Sequence, residues 1–419
     1  MSTPDDLWAQ AGDIFDAWGL SEIPFTESAV ELGQKQLRQL FTGRENELRQ
    51  VFNLVRGRER KRIFVYGWVG IGKTAFLREI IGVLERKAPK TLASYISLLP
   101  GMDLSTAALI GLARKLPKDD YAQHLLTQMG LPASQRAVEK KTTVKAGLSG
   151  SGVETTEETS PFSRPLYPAA SFEALLDRAY QKFDRIVIGI DDLEKRNPDL
   201  IRQMLRDEQG LLKSNAWFFL TGHPATITHD ILARELGLFD LALELKPLDQ
   251  TTSYRMLVNY LNSVRPKEKQ RDYDELQAVW PFTQDTAREL CARSEGIPRM
   301  LNRLGSYVLL KAAELGAPMI TPDVFQAGVE FADQQLRGQS GLTIEEMYIL
   351  ELVLDKGVLS DESVTLEELD KVRTKEFREI LPILDNLVQR DLLKRLPSER
   401  ATEYAPSPLV RIPKSDPPV

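Results

Sequence analysis

The sequence contains few of the residues that form disulfides or transition-metal sites. Its single cysteine, Cys291, excludes an internal disulfide and a zinc site built on cysteines. Only three histidines occur in 419 residues, so metal binding through imidazole is not expected. Disulfides are typical of oxidising compartments, and we therefore expect the chain to reside in the cytoplasm.

Long apolar runs and an excess of positive charge are missing as well. No apolar stretch reaches the roughly 18 residues that a membrane span needs. The N-terminal residues 1–19 are acidic and amphipathic, and they lack the basic and apolar regions of a secretion signal. The net charge of −6 argues against a protein that wraps nucleic acid over a large surface. Contact with nucleic acid would need a local patch or an assembled oligomer.

The apolar content, 42% of 419 residues, is sufficient for a sizeable core and indicates two or three domains. Between residues 41 and 248, short apolar strands alternate with helical patterns. This alternation predicts an α/β fold with a mostly parallel sheet covered by helices. We expect an N-terminal helical segment over 1–40, with a helix at 5–18, and a purely helical lid over 249–338.

An insertion over 132–165 interrupts the α/β pattern. It is polar and rich in serine, threonine and glycine. Disordered loops have this composition, but Thr142–Leu148 and Val153–Glu158 alternate around a Ser-Gly-Ser-Gly turn as a β-hairpin would. Both interpretations stay open.

An eight-residue motif follows the predicted strand Ile63–Tyr66, itself preceded by the very basic run 56–62. Residues 67–74 read GWVGIGKT, which satisfies the P-loop pattern in full, and a predicted helix follows. The glycines let backbone N–H groups face the phosphates, and the helix N-terminus adds its positive dipole end. Lys73 would neutralise the β- and γ-phosphates, and the Thr74 hydroxyl would ligate Mg²⁺. The motif predicts binding of ATP and Mg²⁺ by Gly67, Gly70, Ile71, Gly72, Lys73, Thr74 and Ala75.

A second apolar strand, Arg185–Ile190, ends in two aspartates. Asp191 sits where ligands bind in open α/β sheets, and we assign it to Mg²⁺. Asp192 is the candidate to polarise the attacking water, with Glu194 as an alternative. Both could instead cap the next helix. Because aspartate is one methylene shorter than glutamate, we expect slow hydrolysis. The chain between Lys73 and Asp191 has room for another strand, which favours the additional-strand class of P-loop ATPases.

Three further residues are candidates for sensing the nucleotide. Thr221 follows the strand Ala216–Leu220, where its hydroxyl could hold the attacking water near the γ-phosphate. Arg299 ends the segment SEGIPR before a helix, as a nucleotide sensor in the lid or as part of a capping turn. Arg234 could reach the γ-phosphate of a neighbouring subunit, with Arg202 and Arg206 as competitors.

The segments FTGRENEL, GWVGIGKT, IVIGIDD, FFLTGHP and SEGIPRMLNRL resemble, in order and spacing, a bacterial AAA+ group. That group includes the secretion ATPase ExeA and the transposition ATPases TniB and TnsC, and it is similar to the origin-recognition ATPases. The opening WGLSEIPF is similar to the segment before the GRE box of ExeA-like proteins. GIGKT and IDDLEK also resemble the STAND and KAP NTPases.

The resemblance implies ATP-dependent conformational change coupled to homo-oligomer assembly, with duplex DNA or a partner protein as substrate. We expect a switch of the kind used in replication, transposition or defence against mobile elements. A STAND-like signalling ATPase, which oligomerises on a trigger and activates a separate effector chain, is the alternative. Binding of ATP without turnover also stays open, because Asp192 replaces the glutamate usual in related ATPases.

The C-terminal residues 341–412 show the element order of a winged helix-turn-helix. Three predicted helices precede two short strands. A basic cluster, Lys371, Arg373, Lys375 and Arg378, lies at the start of the third helix. Residues 341–419 nevertheless hold 16 acidic against 11 basic residues. Contact with DNA and contact with protein therefore both stay open.

Overall fold

The computed structural model describes residues 3, 14–25, 34–57, 59–99, 101–131, 167–193, 198–222, 238–339, 342–390, 392–396, 402–407 and 410. A five-stranded, entirely parallel sheet lies at its centre, in the order β2-β3-β4-β1-β5. The strands are β1 (Arg62–Tyr66), β2 (Thr91–Ser97), β3 (Arg185–Asp191), β4 (Trp217–Gly222) and β5 (Leu241–Glu244). Strand β4 lies between β1 and β3, which confirms the predicted additional-strand arrangement.

Helices cover both faces of this sheet, because its central strands are apolar on both sides. One face packs on the helix after β1, through Phe76, Leu77 and Ile80. The opposite face packs on two other helices, one of them through Phe172. The helices of this part are α1 (Gln34–Leu40), α2 (Glu45–Val55), α3 (Lys73–Lys87), α4 (Leu104–Arg114), α5 (Asp120–Gln128), α6 (Pro168–Tyr180), α7 (Pro198–Asp207) and α8 (Gln209–Leu212).

After β5 the described chain is helical up to residue 339, as predicted. It forms α9 (Gln250–Ser263), a 3₁₀ turn (Lys267–Lys269), α10 (Gln284–Arg293), α11 (Pro298–Glu314) and α12 (Pro322–Gln339). The N-terminal residues 14–18 are helical and pack on these lid helices. Trp18 is 2% exposed, and its Nε1 donates to the carbonyl oxygen of Ala317 at 3.1 Å. The N-terminal segment thus stabilises the lid.

The C-terminal part contains three helices and an antiparallel hairpin in the predicted order. These are α13 (Ile344–Lys356), α14 (Leu366–Lys371), α15 (Phe377–Gln389), β6 (Leu393–Leu396) and β7 (Glu403–Pro406). Capping boxes at Thr343 and Thr365 begin α13 and α14. The hairpin touches the lid, because the Lys394 ammonium donates to the Glu295 carboxylate. The two parts are therefore in direct contact.

Thr42 and Gly43 precede helix α2 without belonging to it. Helix α2 begins at Glu45, because Arg44 adopts a φ of 71°, outside the helical region. The Thr42 hydroxyl instead donates to the carbonyl oxygen of Leu40 at 3.0 Å. The insertion 132–165 and most of the predicted helix 5–18 lie outside the described residues. Among the residues described, no helix is both long and apolar enough to span a bilayer.

Candidate nucleotide site

The P-loop connects β1 to α3 and depends on its glycines. Gly70 and Gly72 have φ values of 78° and 99°, which side chains with a Cβ rarely adopt. A Cβ on Gly67 would lie 2.8 Å from the carbonyl oxygen of Leu245. The chain can therefore turn around a phosphate group only with glycine at these places.

Lys73 places its cation inside this loop. The residue is 4% exposed, and its Nζ donates to the carbonyl oxygens of Gly67 at 2.9 Å and Trp68 at 3.0 Å. Thr74 follows in the first turn of α3 and is partly exposed. The loop therefore presents a cation, a hydroxyl and a helix N-terminus, the groups that a polyphosphate requires.

Asp191 lies at the carboxyl edge of the sheet, beside this loop. It is 1% exposed, the Thr221 hydroxyl donates to its Oδ1, and the Tyr95 hydroxyl donates to its Oδ2 at 2.8 Å. Thr221 is paired with Val65, two residues before the P-loop begins. Strands β1 and β3 are two strand spacings apart, about 10 Å. The structure therefore places the loop, Thr221 and Asp191 at the same edge of the sheet.

Asp192 has a φ of 66° and leaves the line of β3. Its amide donates to the Thr221 hydroxyl oxygen at 3.2 Å, and its carboxylate accepts a hydrogen bond from the Ser97 hydroxyl. The carboxylate therefore faces the end of β2. Its roles as base or helix cap both remain predictions.

The lid reaches the P-loop through the turn before α11. The amide of Arg299 donates to the carbonyl oxygen of Gly70 at 3.2 Å, and a Cβ on Gly70 would lie 2.7 Å from the Cβ of Arg299. The carbonyl oxygen of Gly296 accepts from the Leu248 amide at 2.9 Å. The P-loop and the lid turn are therefore in direct contact.

Arg44 is a site residue that the sequence analysis did not assign. It is 9% exposed, and its Nη2 donates to the carbonyl oxygen of Ile71 at 3.3 Å, while Nη1 donates to Glu47 at 3.2 Å. Burial lowers the pKa of the guanidinium from its ordinary value, and the nearby Glu47 opposes this shift. Arg44 belongs to the segment FTGRENEL, one of the segments that carry the family resemblance. The resemblance alone assigned no role to this arginine.

Tyr95 and Ser97 on β2 were also missed. Burial, followed by the proximity of Asp191, raises the pKa of the Tyr95 phenol far above its ordinary value. The phenol therefore stays protonated and donates to the carboxylate at every physiological pH. The alternation of a strand places Tyr95 and Ser97 on one face, but only the tertiary structure brings that face to the aspartates.

Arg234, like the alternative base Glu194, lies outside the described residues, so its assignment stays a prediction. Arg206 lies on the exposed side of α7.

Comparison with protein families matches residues 41–292 to an ATPase domain found predominantly in Archaea. The match covers more than half of the chain and includes the P-loop, Asp191 and Thr221. The chain belongs to this ATPase family. A search among curated proteins finds no significant match. The family assignment therefore rests on the ATPase domain itself, and it agrees with the arrangement of the loop and the carboxylate.

Solved structures resemble this family member weakly over most of its length. The Orc1 protein of Aeropyrum pernix, solved in complex with DNA, is 14% identical with a TM-score of 0.47, covering 89% of this chain and 93% of its own. The Holliday junction branch migration motor RuvB of Thermotoga maritima is 15% identical, with a TM-score of 0.39 and coverages of 90% and 94%. Cdc6p of Pyrobaculum aerophilum is 16% identical, with a TM-score of 0.40 and 94% of both chains covered. Likeness at this level carries no conclusion about function.

Proposed function

We propose that the chain is an AAA+ type switch that binds and slowly hydrolyses ATP, and that its nucleotide state controls assembly with DNA or a partner protein. The observation that carries this proposal is the convergence of the buried Lys73 loop with the Asp191–Thr221 pair at one edge of the sheet. The contact of the lid turn with Gly70 supplies the means of sensing the nucleotide.

The residues of the site would divide the work of hydrolysis. Lys73 and the loop amides hold the β- and γ-phosphates. Thr221 lies beside Asp191, where its hydroxyl can orient the attacking water, and Asp192 would accept the proton from that water. The Asp192 carboxylate accepts a hydrogen bond from the Ser97 hydroxyl and has further lone pairs that can accept from the water. Slow turnover is expected because the aspartate side chain is one methylene shorter than the glutamate usual in related ATPases.

The residues at this edge fit Mg²⁺. Asp191 supplies a buried carboxylate and Thr74 a hydroxyl at the start of α3, and Mg²⁺ prefers such oxygen ligands in combination with phosphates. When bound, the ion would neutralise charge on the phosphates. Tyr95 and Thr221 hold both carboxylate oxygens of Asp191 in a fixed orientation.

The lid would convert the nucleotide state into movement. A shift of the P-loop acts on Arg299 through the Gly70 carbonyl, and the neighbouring Glu295 is bound to Lys394 of the C-terminal hairpin. We propose a division into an N-terminal segment (1–40), an ATPase core (41–248), a lid (249–338) and a winged helix-turn-helix (341–412). The contacts between lid and hairpin support a path from the nucleotide to the last of these.

The proposal also includes the finer features expected from the sequence resemblance. These are membership of the ExeA, TniB and TnsC group, homo-oligomer formation, and a finger role for Arg234 toward a neighbouring subunit. The support is the order of the motifs and the Gly-Ile-Pro-Arg turn, which lies against the P-loop.

The test measures mass and turnover together. Light scattering gives the mass with ADP and with ATP, and phosphate release gives turnover with and without duplex DNA. Asp191→Asn serves as the inactive control. DNA-stimulated turnover with larger assemblies in ATP supports the proposal. Assembly without any effect of DNA would favour the STAND-like signalling ATPase, and ATP binding without turnover would contradict hydrolysis.

A further inference from the structure

The amino edge of the sheet, opposite the nucleotide site, collects positive charge. The described parts of the loops that enter β1–β5, together with the first residue of each strand, contain eight cations and three carboxylates. The whole chain, in contrast, has a net charge of −6. We call this surface the amino edge. Its cations are Arg56, Arg60, Lys61, Arg62, Lys90, Lys182, Arg185 and Lys213, and its carboxylates are Glu59, Asp184 and Asp240.

Strand pairing places these loops side by side. Thr91 of β2 is paired with Arg185 of β3, and the Asp184 amide donates to the Lys90 carbonyl oxygen at 2.9 Å. The Phe218 amide of β4 donates to the Lys61 carbonyl oxygen at 3.0 Å. From β2 to β1 the edge therefore spans three strand spacings, about 14 Å.

Part of this charge is held in a fixed position. The Arg185 guanidinium lies 4.0 Å from the centre of the Trp217 ring, and its Nη2 donates to the Gly57 carbonyl oxygen at 3.0 Å. Arg60 and Arg185 both lie near the Tyr180 phenol. A guanidinium stacked in this way loses little freedom when it binds a phosphate.

Other cations of the edge have no carboxylate partner among the described residues. The three carboxylates lie near Lys61 (Glu59 at 3.1 Å), Arg62 (Asp240 at 3.3 Å) and Lys90 (Asp184 at 4.0 Å). Among the residues that the structure describes, no carboxylate forms an ion pair with Arg60, Lys182 or Lys213. All three are exposed.

In its described residues, the edge also lacks the apolar anchors of a protein interface. Large apolar side chains that are exposed, such as Leu99, Leu200 and Leu276, lie outside these loops in the described chain. Protein interfaces centre on aromatic and apolar residues, whereas contacts to phosphate backbones need mainly arginine and lysine. Lys182 and Lys213 follow the C-terminal ends of α6 and α8, where a cation stabilises the helix dipole. Arg60 and Arg185 lie at the starts of strands, so this explanation does not apply to them.

We infer that the amino edge binds the phosphate backbone of a nucleic-acid duplex, on the side of the sheet opposite the ATP site. This inference names a partner-binding surface within the proposed function. It does not require hydrolysis, since the surface shares no residue with the P-loop.

The test titrates the full chain against a short fluorescent DNA duplex of mixed sequence, from about 50 to 200 mM salt. The edge variant is Arg60→Gln/Lys182→Gln/Lys213→Gln. Its matched control, Lys35→Gln/Arg38→Gln/Lys267→Gln, removes three exposed cations elsewhere. If each edge cation meets one phosphate, the slope of log affinity against log salt falls by about 2.7 in the edge variant. The control keeps the original slope.

A further variant separates this surface from the winged-helix cluster. Lys371→Gln/Lys375→Gln/Arg378→Gln should leave most of the slope intact. Loss of binding in this variant, with none in the edge variant, would overturn the inference. So would the absence of duplex binding by the unaltered chain, or equally tight binding of phosphatidylserine vesicles. Binding of a fluorescent ATP analogue, measured in parallel, reports separately on the proposed nucleotide site.

Discussion

Replacing Gly70 with alanine adds one methyl group where the lid turn meets the P-loop. The residue has a φ of 78°, and a Cβ there would lie 2.7 Å from the Arg299 Cβ and 3.3 Å from the Ile297 Cγ2. Neither neighbour is the free end of a flexible side chain. The substitution must therefore move the loop, the lid turn, or both.

The free-energy cost of the Gly70→Ala substitution has two contributions. A left-handed backbone costs an L-residue about 1–2 kcal/mol, and the contact at 2.7 Å adds to this strain. About 1.4 kcal/mol corresponds to a tenfold change in a binding constant. If the loop relieves the strain by turning its amides away from the phosphates, ATP affinity falls tenfold or more. Titration with a fluorescent ATP analogue measures this.

Gly357→Ala is the matched control for this substitution. Gly357 has a φ of 76°, but an added Cβ would meet no described heavy atom within 4 Å. It therefore also places a Cβ at a positive φ but without the lid contact, and ATP affinity should not change. A folded Gly70→Ala chain that binds ATP as tightly as the unaltered chain would refute the proposed role of this contact.

The remaining predictions concern residues around the site. Arg44→Gly keeps the positive φ but removes a buried donor to the P-loop, so ATP affinity should fall about tenfold or more. The control Arg373→Gly, also at positive φ, should leave ATP affinity unchanged. Equal effects of the two substitutions would contradict a role of Arg44 in holding the P-loop. Tyr95→Phe removes a donor from Asp191 and should slow Mg²⁺-dependent turnover while nucleotide binding without Mg²⁺ persists; loss of both would indicate a purely structural role. Burial raises the pKa of the Cys291 thiol to about 12, so little thiolate exists below that pH, and iodoacetamide should label the native chain far more slowly than the chain in urea, with equal rates contradicting burial.

Much of the sheet could be predicted from local sequence. Strands β1 and β3 are short apolar runs, and each ends in residues that strands rarely contain, glycines in one case and two aspartates in the other. Such runs are typical of strands buried on both faces. Because the carboxyl ends of parallel strands lie at one edge, the position of the P-loop, Asp191 and Thr221 at that edge could also be predicted.

Residues that act through tertiary contacts could not be predicted in this way. In the sequence, Arg44 looks like an exposed residue at the start of a helix. In the structure, its φ is positive and its side chain donates to the carbonyl oxygen of Ile71. Tyr95 reaches Asp191 only because β2 pairs with β3 in a particular register. The amino edge draws on loops far apart in the sequence, of which only the run 56–62 is conspicuous on its own.

The central claim is that the loop around Lys73 binds the phosphates of ATP, and affinity for ATP in Lys73→Ala tests it most directly. The control is Lys87→Ala, an exposed lysine at the end of the same helix. Hydrogen bonds to charged groups contribute about 1.5–3 kcal/mol, so Lys73→Ala should bind ATP about 10- to 100-fold more weakly, and Lys87→Ala as the unaltered chain does. Equal affinity in the two variants would contradict the account.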